Sequence, residues 1–313
     1  MKIVSIGIDL GNSMLKATKI EDGKKVRVKI PNRIEYSETL NPKARKVDFN
    51  GSTIYIGVGE LNNNVLKHTR KHLLEETLLM VHELYPMEQE LRVELKLGLP
   101  PQQYFNKSYL NEFEQLFPIS KEFKYFVNGI SKKVIFNSLT VNVEGYSAFV
   151  SNVEAIGDIK QDILSIDVGG GTTDLCNYSW DYDDEMYYPN KTLTISNGVI
   201  DFGEEIASYF NEQENADIES SLIDSLLKNN NEYIEYKNNK YKLQDYLVSL
   251  KPMTTDMLNK ITNKFGSLDR YVIVGTGGGY KTFNKMIYSE ISKEIHLDED
   301  SQFFGNCDGY LEQ

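Results

Sequence analysis

The sequence contains little cysteine and no long hydrophobic run. Only two of its 313 residues are cysteines, Cys176 and Cys307, which excludes a disulfide framework and a zinc site built from several thiolates. No stretch of about 18 consecutive apolar residues occurs, so no membrane span is expected. Asp9 and Asn12 interrupt the first apolar stretch before it could form the core of a signal peptide. We therefore expect a protein of the reducing cytoplasm.

Basic residues are also scarce relative to acidic ones. The 34 Lys and Arg residues face 46 Asp and Glu residues, which gives a formal net charge of −12. Such a surface repels a phosphate backbone, so direct contact with nucleic acid is not expected. Hydrophobic residues make up 40% and charged residues 26%, as in a globular protein, and the length suffices for two domains of about 150 residues each.

A short motif occurs twice, about half the chain apart. The first copy, IGIDLGNSMLK, runs from Ile6 to Lys16, and the second, LSIDVGGGTTDL, runs from Leu164 to Leu175. In both copies a β-branched run is followed by Asp, an apolar residue, Gly and small polar residues. This spacing predicts two similar domains rather than a short-period repeat.

Strands and helices alternate in both halves, which is typical of an α/β fold. The first motif opens a predicted meander of three strands: Val4–Asp9, Leu15–Ile20 and Lys25–Ile30. A stripe of apolar residues predicts a helix over Lys67–Tyr85.

Two histidines, His68 and His72, lie four positions apart in this predicted helix, a spacing that can bind a metal ion. They are accompanied by Lys67, Arg70 and Lys71. The pattern favours a solvent-exposed basic face over a metal site.

Glycine turns that follow strands can bind phosphate, because without a Cβ several backbone N–H groups can converge on an anion. The two motifs contain such turns, Gly11-Asn12-Ser13 and Gly169-Gly170-Gly171-Thr172. Lys16 can add a positive charge, and Asp9 and Asp167, which precede the turns, can hold the water shell of Mg²⁺. Either turn alone is equally typical of a hairpin. Their pairing across the chain is what indicates a phosphate site.

A third glycine turn lies in VIVGTGGGY, from Val272 to Tyr280. This strand, turn and helix can place an adenosine or an α-phosphate against a helix N-terminus. A dinucleotide-binding fingerprint is the rival interpretation, but no following strand with a ribose-binding acid is present. The Walker pattern GxxxxGK[ST] does not occur.

Together the three motifs resemble those of the actin-fold ATPase superfamily, which includes actins, heat-shock chaperone ATPases and sugar kinases. IDLGNSMLK resembles its first phosphate motif, IDVGGGTTD its second and VIVGTGGGY its adenosine motif. Three further segments resemble ParM, the bacterial plasmid-segregation actins: VEGYSA at 143–148, SNGV at 196–199 with GEE at 203–205, and the last residues from Asp300.

The resemblance implies an α/β, actin-like fold of the duplicated ribonuclease H type, with two related domains around a nucleotide cleft. The first domain would span residues 1–153, with a C-terminal tail from about 295 to 313 returning to it, and the second residues 154–294. It also implies polymerisation with ATP, hydrolysis in the polymer, and segregation of plasmid DNA through a ParR-like adaptor bound to the centromere. The implied cofactor is Mg²⁺ with ATP, and GTP stays open as an alternative nucleotide.

The resemblance also implies roles for individual residues. The β- and γ-phosphates would contact Gly11, Asn12, Ser13, Lys16, Gly170, Gly171 and Thr172. Asp9 and Asp167 would position Mg²⁺ through water, and the adenosine would lie over the turn containing Gly275, Gly277 and Gly278. Glu144 would orient the attacking water or accept its proton, the alternative being a solvated acid at a helix start. Glu204 or Glu205 would contact the ribose, or else serve as a first-turn helix carboxylate.

Two other functions fit the same fold. A small-molecule kinase would need an acceptor pocket with a catalytic acid, for which Glu144 is the candidate. A chaperone or reactivating ATPase would usually carry an additional substrate module, for which 313 residues leave no room.

Overall fold

The structure is a computed structural model of the chain. It describes residues 1–62, 64, 66–152, 159–229, 231–287 and 291–312, and only the backbone of residue 228. Contacts between residues divide the chain into two compact units, Met1–Ala155 with Asp298–Gln313 and Ile156–Leu297. The domain boundary predicted at residues 153–154 lies outside the described residues.

The first unit contains a ten-stranded sheet. Its strands are β1 (Lys2–Leu10), β2 (Met14–Glu21), β3 (Lys24–Pro31), β4 (Arg33–Glu35), β5 (Arg45–Phe49), β6 (Ser52–Ile56), β7 (Glu60–Leu61), β8 (Glu90–Leu99), β9 (Glu122–Val127) and β10 (Ile130–Val143). They lie in the order β3-β2-β1-β8-β10-β9-β5-β6-β4-β7. The first three form the predicted antiparallel meander, and β8 runs parallel to both β1 and β10. Asp9 and Glu144 therefore lie at the same edge of the sheet, where parallel strands end.

Four helices of the first unit are α1 (Leu73–Leu84), α2 (Pro101–Tyr104), α3 (Lys107–Gln115) and α4 (Tyr146–Val150). The apolar residues of α1 pack on the sheet, among them Leu78, Leu79 and Val81, which are fully buried. This packing confirms the apolar stripe from which the helix was predicted.

The predicted start of this helix at Lys67 is wrong, because α1 begins at Leu73. His72 has a left-handed backbone with φ of 66°, and Arg70 is extended, so residues 67–69 form a separate 3-10 turn. His68 and His72 therefore share no helix face, and His68 stacks on Tyr109 with ring centroids 4.7 Å apart. The prediction of a solvent-exposed basic face is also wrong, since Lys67 and Arg70 are each only 4% exposed.

The second unit contains a smaller sheet built on the same plan. Its strands, with those of a separate hairpin (β14 and β15), are β11 (Ile163–Val168), β12 (Thr173–Asp181), β13 (Met186–Ile195), β14 (Tyr233–Tyr236), β15 (Asn239–Lys242), β16 (Val272–Thr276) and β17 (Glu294–Ile295). The sheet order is β13-β12-β11-β16-β17. Strands β11, β12 and β13 form an antiparallel meander and β16 runs parallel to β11, as β8 does to β1.

Among the described residues of the second unit, the α-helices are α5 (Val199–Glu214), α6 (Ser220–Lys228), α7 (Leu243–Tyr246), α8 (Lys251–Phe265) and α9 (Tyr280–Ile287). The last helix, α10 (Glu299–Glu312), belongs to the first unit and packs against β1, β2 and α4. In the part of the chain that the structure describes, no helix combines the length and the apolar character needed to cross a membrane.

Candidate functional site

Asp9 lies buried at the end of β1 among three cations. Lys16 faces it across the β1–β2 ladder with Nζ 2.7 Å from Oδ2, and Lys67 Nζ lies 3.7 Å from Oδ1. Burial raises the pKa of Asp9, but the charges of Lys16, Lys67 and Arg70 together outweigh burial, and the net effect lowers the pKa. Asp9 is therefore a carboxylate at neutral pH, as a partner for a hydrated metal ion must be.

Lys67 connects Asp9 and Glu144, the two carboxylates that lie at this edge of the sheet. Its ammonium forms an ion pair with Glu144 Oε1 in addition to its contact with Asp9. All three residues are less than a tenth exposed. Glu144 extends β10, because its N–H donates to the carbonyl of Leu99 in β8 at 2.9 Å. Glu144 is therefore a buried, ion-paired carboxylate rather than a solvated acid.

Arg70 holds the first glycine turn from the side. Its Nη1 donates to Asn12 Oδ1 at 3.1 Å, and its Nη2 lies 2.6 Å from Glu76 Oε2. The Arg70 and Glu76 side chains are 1% and 0% exposed. Asn62 Nδ2 donates to the other Glu76 oxygen at 2.5 Å. A buried ion pair thus fixes the side chain of Asn12 within the turn.

Close packing and hydrogen bonds hold the first glycine turn in place. A Cβ at Gly11 would lie 2.6 Å from the carbonyl oxygen of Met14, so no larger residue fits without moving the backbone. Asn32 donates from its side chain to the Gly11 carbonyl at 2.8 Å and from its backbone to the Ser13 carbonyl at 2.9 Å. The residues predicted to bind phosphate in this unit are therefore brought together with Asp9 and Glu144.

In the second unit, the glycine turn between β11 and β12 packs on the start of α5. The carbonyls of Gly169 and Gly170 accept hydrogen bonds from the N–H groups of Val199 and Ile200 at 3.0 and 2.9 Å. Gly171 is half-buried and completes the turn. The turn is thus anchored by the first free N–H groups of a helix.

Thr172 ends this turn and is held by an acid. Its hydroxyl donates to Asp174 Oδ2 at 2.9 Å, and the Thr194 hydroxyl donates to Asp174 Oδ1 at 2.6 Å. Asp174 faces Asp167 across the β11–β12 ladder, as Lys16 faces Asp9 across β1–β2. The two copies of the motif therefore share their geometry and differ in charge at this position.

The third glycine turn packs against Asp167. Gly277 has φ of 82°, and a Cβ there would lie 2.4 Å from Asp167 Oδ1 and 2.4 Å from the Val168 carbonyl oxygen. Gly275 is buried in β16, whereas Gly278 is exposed. The structure thus brings together, within one unit, Asp167 and the two glycine turns that were predicted to bind phosphate and adenosine.

Glu204 and Glu205 are both exposed on α5. Because this helix begins at Val199, neither lies in its first turn, and the first-turn interpretation is wrong. The acid in that position is Asp201, whose Oδ2 accepts a hydrogen bond from the Gly198 N–H at 2.7 Å.

Lys67 and Arg70 are the site residues that the sequence did not reveal. Lys67 is 77 positions from Glu144, and Arg70 is 58 positions from Asn12, so no local pattern connects them. Among the described residues, no group of three or more His, Cys, Asp or Glu side chains is arranged to hold a metal ion directly.

Comparison with known proteins identifies the fold. Residues 7–146 match the family model described as "Actin like proteins N terminal domain". No curated protein matches the sequence. Among solved structures, the chain is similar to the archaeal actin homolog Ta0583, with a TM-score of 0.78 and 16% identity over 99% of this chain and 98% of that one. Ta0583 has also been solved in complex with ADP.

Two filament structures are similar as well. A 15-stranded ParM filament from Clostridium botulinum gives a TM-score of 0.75 and 22% identity over 100% of this chain and 99% of that one. The Alp12 filament gives 0.62 and 16% over 100% and 98%. The predicted α/β, actin-like fold is confirmed, and the solved structures with a similar fold include ParM.

Breaking the buried ion pair behind the first turn should destabilise the protein strongly. We expect Arg70→Met to lower the free energy of unfolding by about 3–5 kcal/mol, because the buried Glu76, whose pKa burial already raises, loses its cation. Denaturant unfolding followed by circular dichroism measures this change.

The matched control is Lys260→Met, which removes an ion pair with Asp256 whose side chains are 50% and 61% exposed. That change should cost less than about 1 kcal/mol. Equal losses in the two variants would contradict the importance of the buried pair.

Proposed function

We propose that this chain is an ATP-dependent, filament-forming actin-like protein that segregates plasmid DNA in the bacterial cytoplasm. The observation that carries the proposal is the repeated arrangement at the first hairpin of each meander. There a buried aspartate, Asp9 or Asp167, precedes a glycine turn braced by hydrogen bonds. The actin-like family match and the ADP complex of Ta0583 support a nucleotide as the ligand.

In this proposal each of the two glycine turns binds nucleotide phosphate with residues of its own unit. The phosphate contacts are Gly11, Asn12, Ser13, Lys16, Gly170, Gly171 and Thr172. The nucleoside lies on the turn formed by Gly275, Gly277 and Gly278, with Glu204 at the ribose. Asp9 and Asp167 hold the water shell of Mg²⁺. Glycine suits these turns because a Cβ at Gly11 or Gly277 would collide with neighbouring backbone atoms. Glycine at the two positions therefore allows each turn to lie close to the segment beside it.

ATP supplies the reacting phosphoryl group, and Mg²⁺ supplies a divalent positive charge that offsets the negative charge of the phosphate oxygens. The protein's own contribution is to position groups and to stabilise charge. Lys16 and Lys67 supply positive charge beside Asp9, and Arg70 keeps Asn12 in place. Glu144, held by Lys67, orients a water molecule and accepts its proton through a carboxylate oxygen.

The proposed partners follow from the same comparison. The similar ParM and Alp12 structures are filaments, which supports a second copy of this chain as the main partner. The net charge of −12 disfavours direct contact with DNA, so a ParR-like adaptor would connect the filament to the plasmid centromere. GTP is a second nucleotide to test beside ATP.

Assembly is the first expected outcome. Purified protein should remain in the supernatant without nucleotide and should scatter light and sediment after ATP and Mg²⁺ are added. Samples with ADP, with GTP, and with ATP but without Mg²⁺ are the controls. Protein that stays soluble at high concentration with ATP, yet phosphorylates a sugar, would contradict the filament function and favour the small-molecule kinase.

Removal of the Glu144 carboxylate should separate binding from hydrolysis. We expect Glu144→Gln to retain ATP affinity, because the amide preserves the shape of the side chain. Phosphate release should slow by roughly 10²–10⁴-fold, the usual contribution of a general base. Filaments of this variant should therefore persist longer.

The matched control is Glu112→Gln, at a glutamate whose side chain is 53% exposed. It should hydrolyse ATP at the rate of the unchanged protein. If Glu144→Gln releases phosphate at that same rate, Glu144 has no part in the reaction.

A further inference from the structure

The C-terminal helix α10 packs unusually closely against the segment that follows Glu144. Its glycines Gly305 and Gly309, four residues apart, face α4. A Cβ at Gly309 would lie 1.7 Å from the Ser147 carbonyl oxygen, and one at Gly305 would lie 3.0 Å from Ala148 Cβ. Glycine inside a helix costs about 1 kcal/mol relative to alanine. Here the absence of a side chain permits the close approach of the two helices.

This approach places Asn306 against the backbone next to Glu144. Asn306 is 6% exposed, and its Oδ1 accepts a hydrogen bond from the Gly145 N–H at 2.9 Å. Gly145 precedes α4 with φ of 77°, a backbone conformation that few other residues adopt. The chain therefore turns sharply directly after Glu144, and Asn306 holds the peptide at which it turns.

Glu144 is thus fixed from both sides. Its own N–H donates to the Leu99 carbonyl at 2.9 Å, which ties it to β8. The next N–H, that of Gly145, donates to Asn306. These two backbone bonds determine where the Cβ of Glu144 points, and the Lys67 ammonium then fixes its carboxylate.

The same helix also holds the hairpin that carries Lys16. The Lys16 Nζ donates to the Phe303 carbonyl at 2.9 Å, and the Thr18 hydroxyl donates to Asp308 Oδ1 at 2.8 Å. Helix α10 therefore contacts both the hairpin that carries Lys16 and the segment that follows Glu144, and Asn306 is the residue that hydrogen-bonds the Gly145 N–H.

We propose that Asn306 is a positioning residue that aims Glu144 at the water molecule by holding the peptide between Glu144 and Gly145. The inference rests on the proposed ATP hydrolysis. It predicts that loss of this single acceptor impairs the chemical step and leaves nucleotide binding intact.

Two variants of nearly equal size test the inference. Asn306→Leu removes the acceptor, whereas Asn306→Asp keeps an oxygen at the same place. We expect Asn306→Leu to lower kcat by about three- to tenfold, the worth of one hydrogen bond, with KM for ATP unchanged. Asn306→Asp should retain kcat near that of the unchanged protein.

A second readout needs no nucleotide. Hydrogen exchange of the Gly145 amide, measured on the full chain without ATP, should be faster in Asn306→Leu and unchanged in Asn306→Asp. The control Asp298→Ala removes the acceptor for the Ser301 N–H and hydroxyl at the start of α10, at 3.0 and 2.6 Å. It loosens the helix end without reaching Glu144 and should leave kcat and Gly145 exchange unchanged.

The outcomes separate this inference from the function on which it rests. If the unchanged protein hydrolyses ATP but Asn306→Leu keeps kcat and Gly145 protection, the positioning role is overturned and the ATPase function stands. The same holds if Asn306→Asp or Asp298→Ala lowers kcat as much as Asn306→Leu does. Absence of hydrolysis in the unchanged protein would overturn both.

Discussion

The buried ammonium of Lys67, shared between Asp9 and Glu144, is the interaction on which the first unit depends. Charged groups buried away from water are costly unless they are paired, so the carboxylates at the ends of β1 and β10 require a cation. Lys67 comes from a short turn before α1, so its ion pairs with Asp9 and Glu144 join three separate segments of the chain. The arrangement of β1, β10 and that turn is consequently fixed by charge as well as by packing.

Buried ion pairs and hydrogen bonds of Arg70 and of α10 hold the neighbouring segments in place as well. Arg70 pairs with Glu76 and holds Asn12, while the Phe303 carbonyl accepts a hydrogen bond from Lys16. In the second unit an acid, Asp174, takes the position of Lys16 and holds Thr172 instead. The same hairpin arrangement thus occurs twice. A cation, Lys16, lies beside the first turn, whereas at the second turn the Thr172 hydroxyl donates to the Asp174 carboxylate.

The local features of the fold could be predicted from the sequence. The β1–β3 meander could be predicted because alternating side chains and turn residues are recognisable within a few positions of the sequence. The three glycine turns could be predicted because a close approach of the backbone requires glycine. The start of α1 could not be predicted, since the extended backbone of Arg70 and the left-handed backbone of His72 have no clear signal in the sequence. The burial of Lys67 and Arg70 could not be predicted, because their partners Glu144 and Asn12 are distant in sequence. No local pattern points to the contact of Asn306 with Gly145 either, since the two residues lie 161 positions apart.

In the proposed function, the buried charges around Asp9 form part of a phosphate site. Isothermal titration of ATP and of adenosine, each with Mg²⁺, into the unchanged protein and into Lys16→Met tests it most directly. The account predicts that Lys16→Met weakens ATP binding by roughly 10- to 100-fold, the worth of a hydrogen bond to a charged group. Adenosine, which has no phosphate, should bind both proteins equally. Equal affinities of the two proteins for ATP would contradict the account.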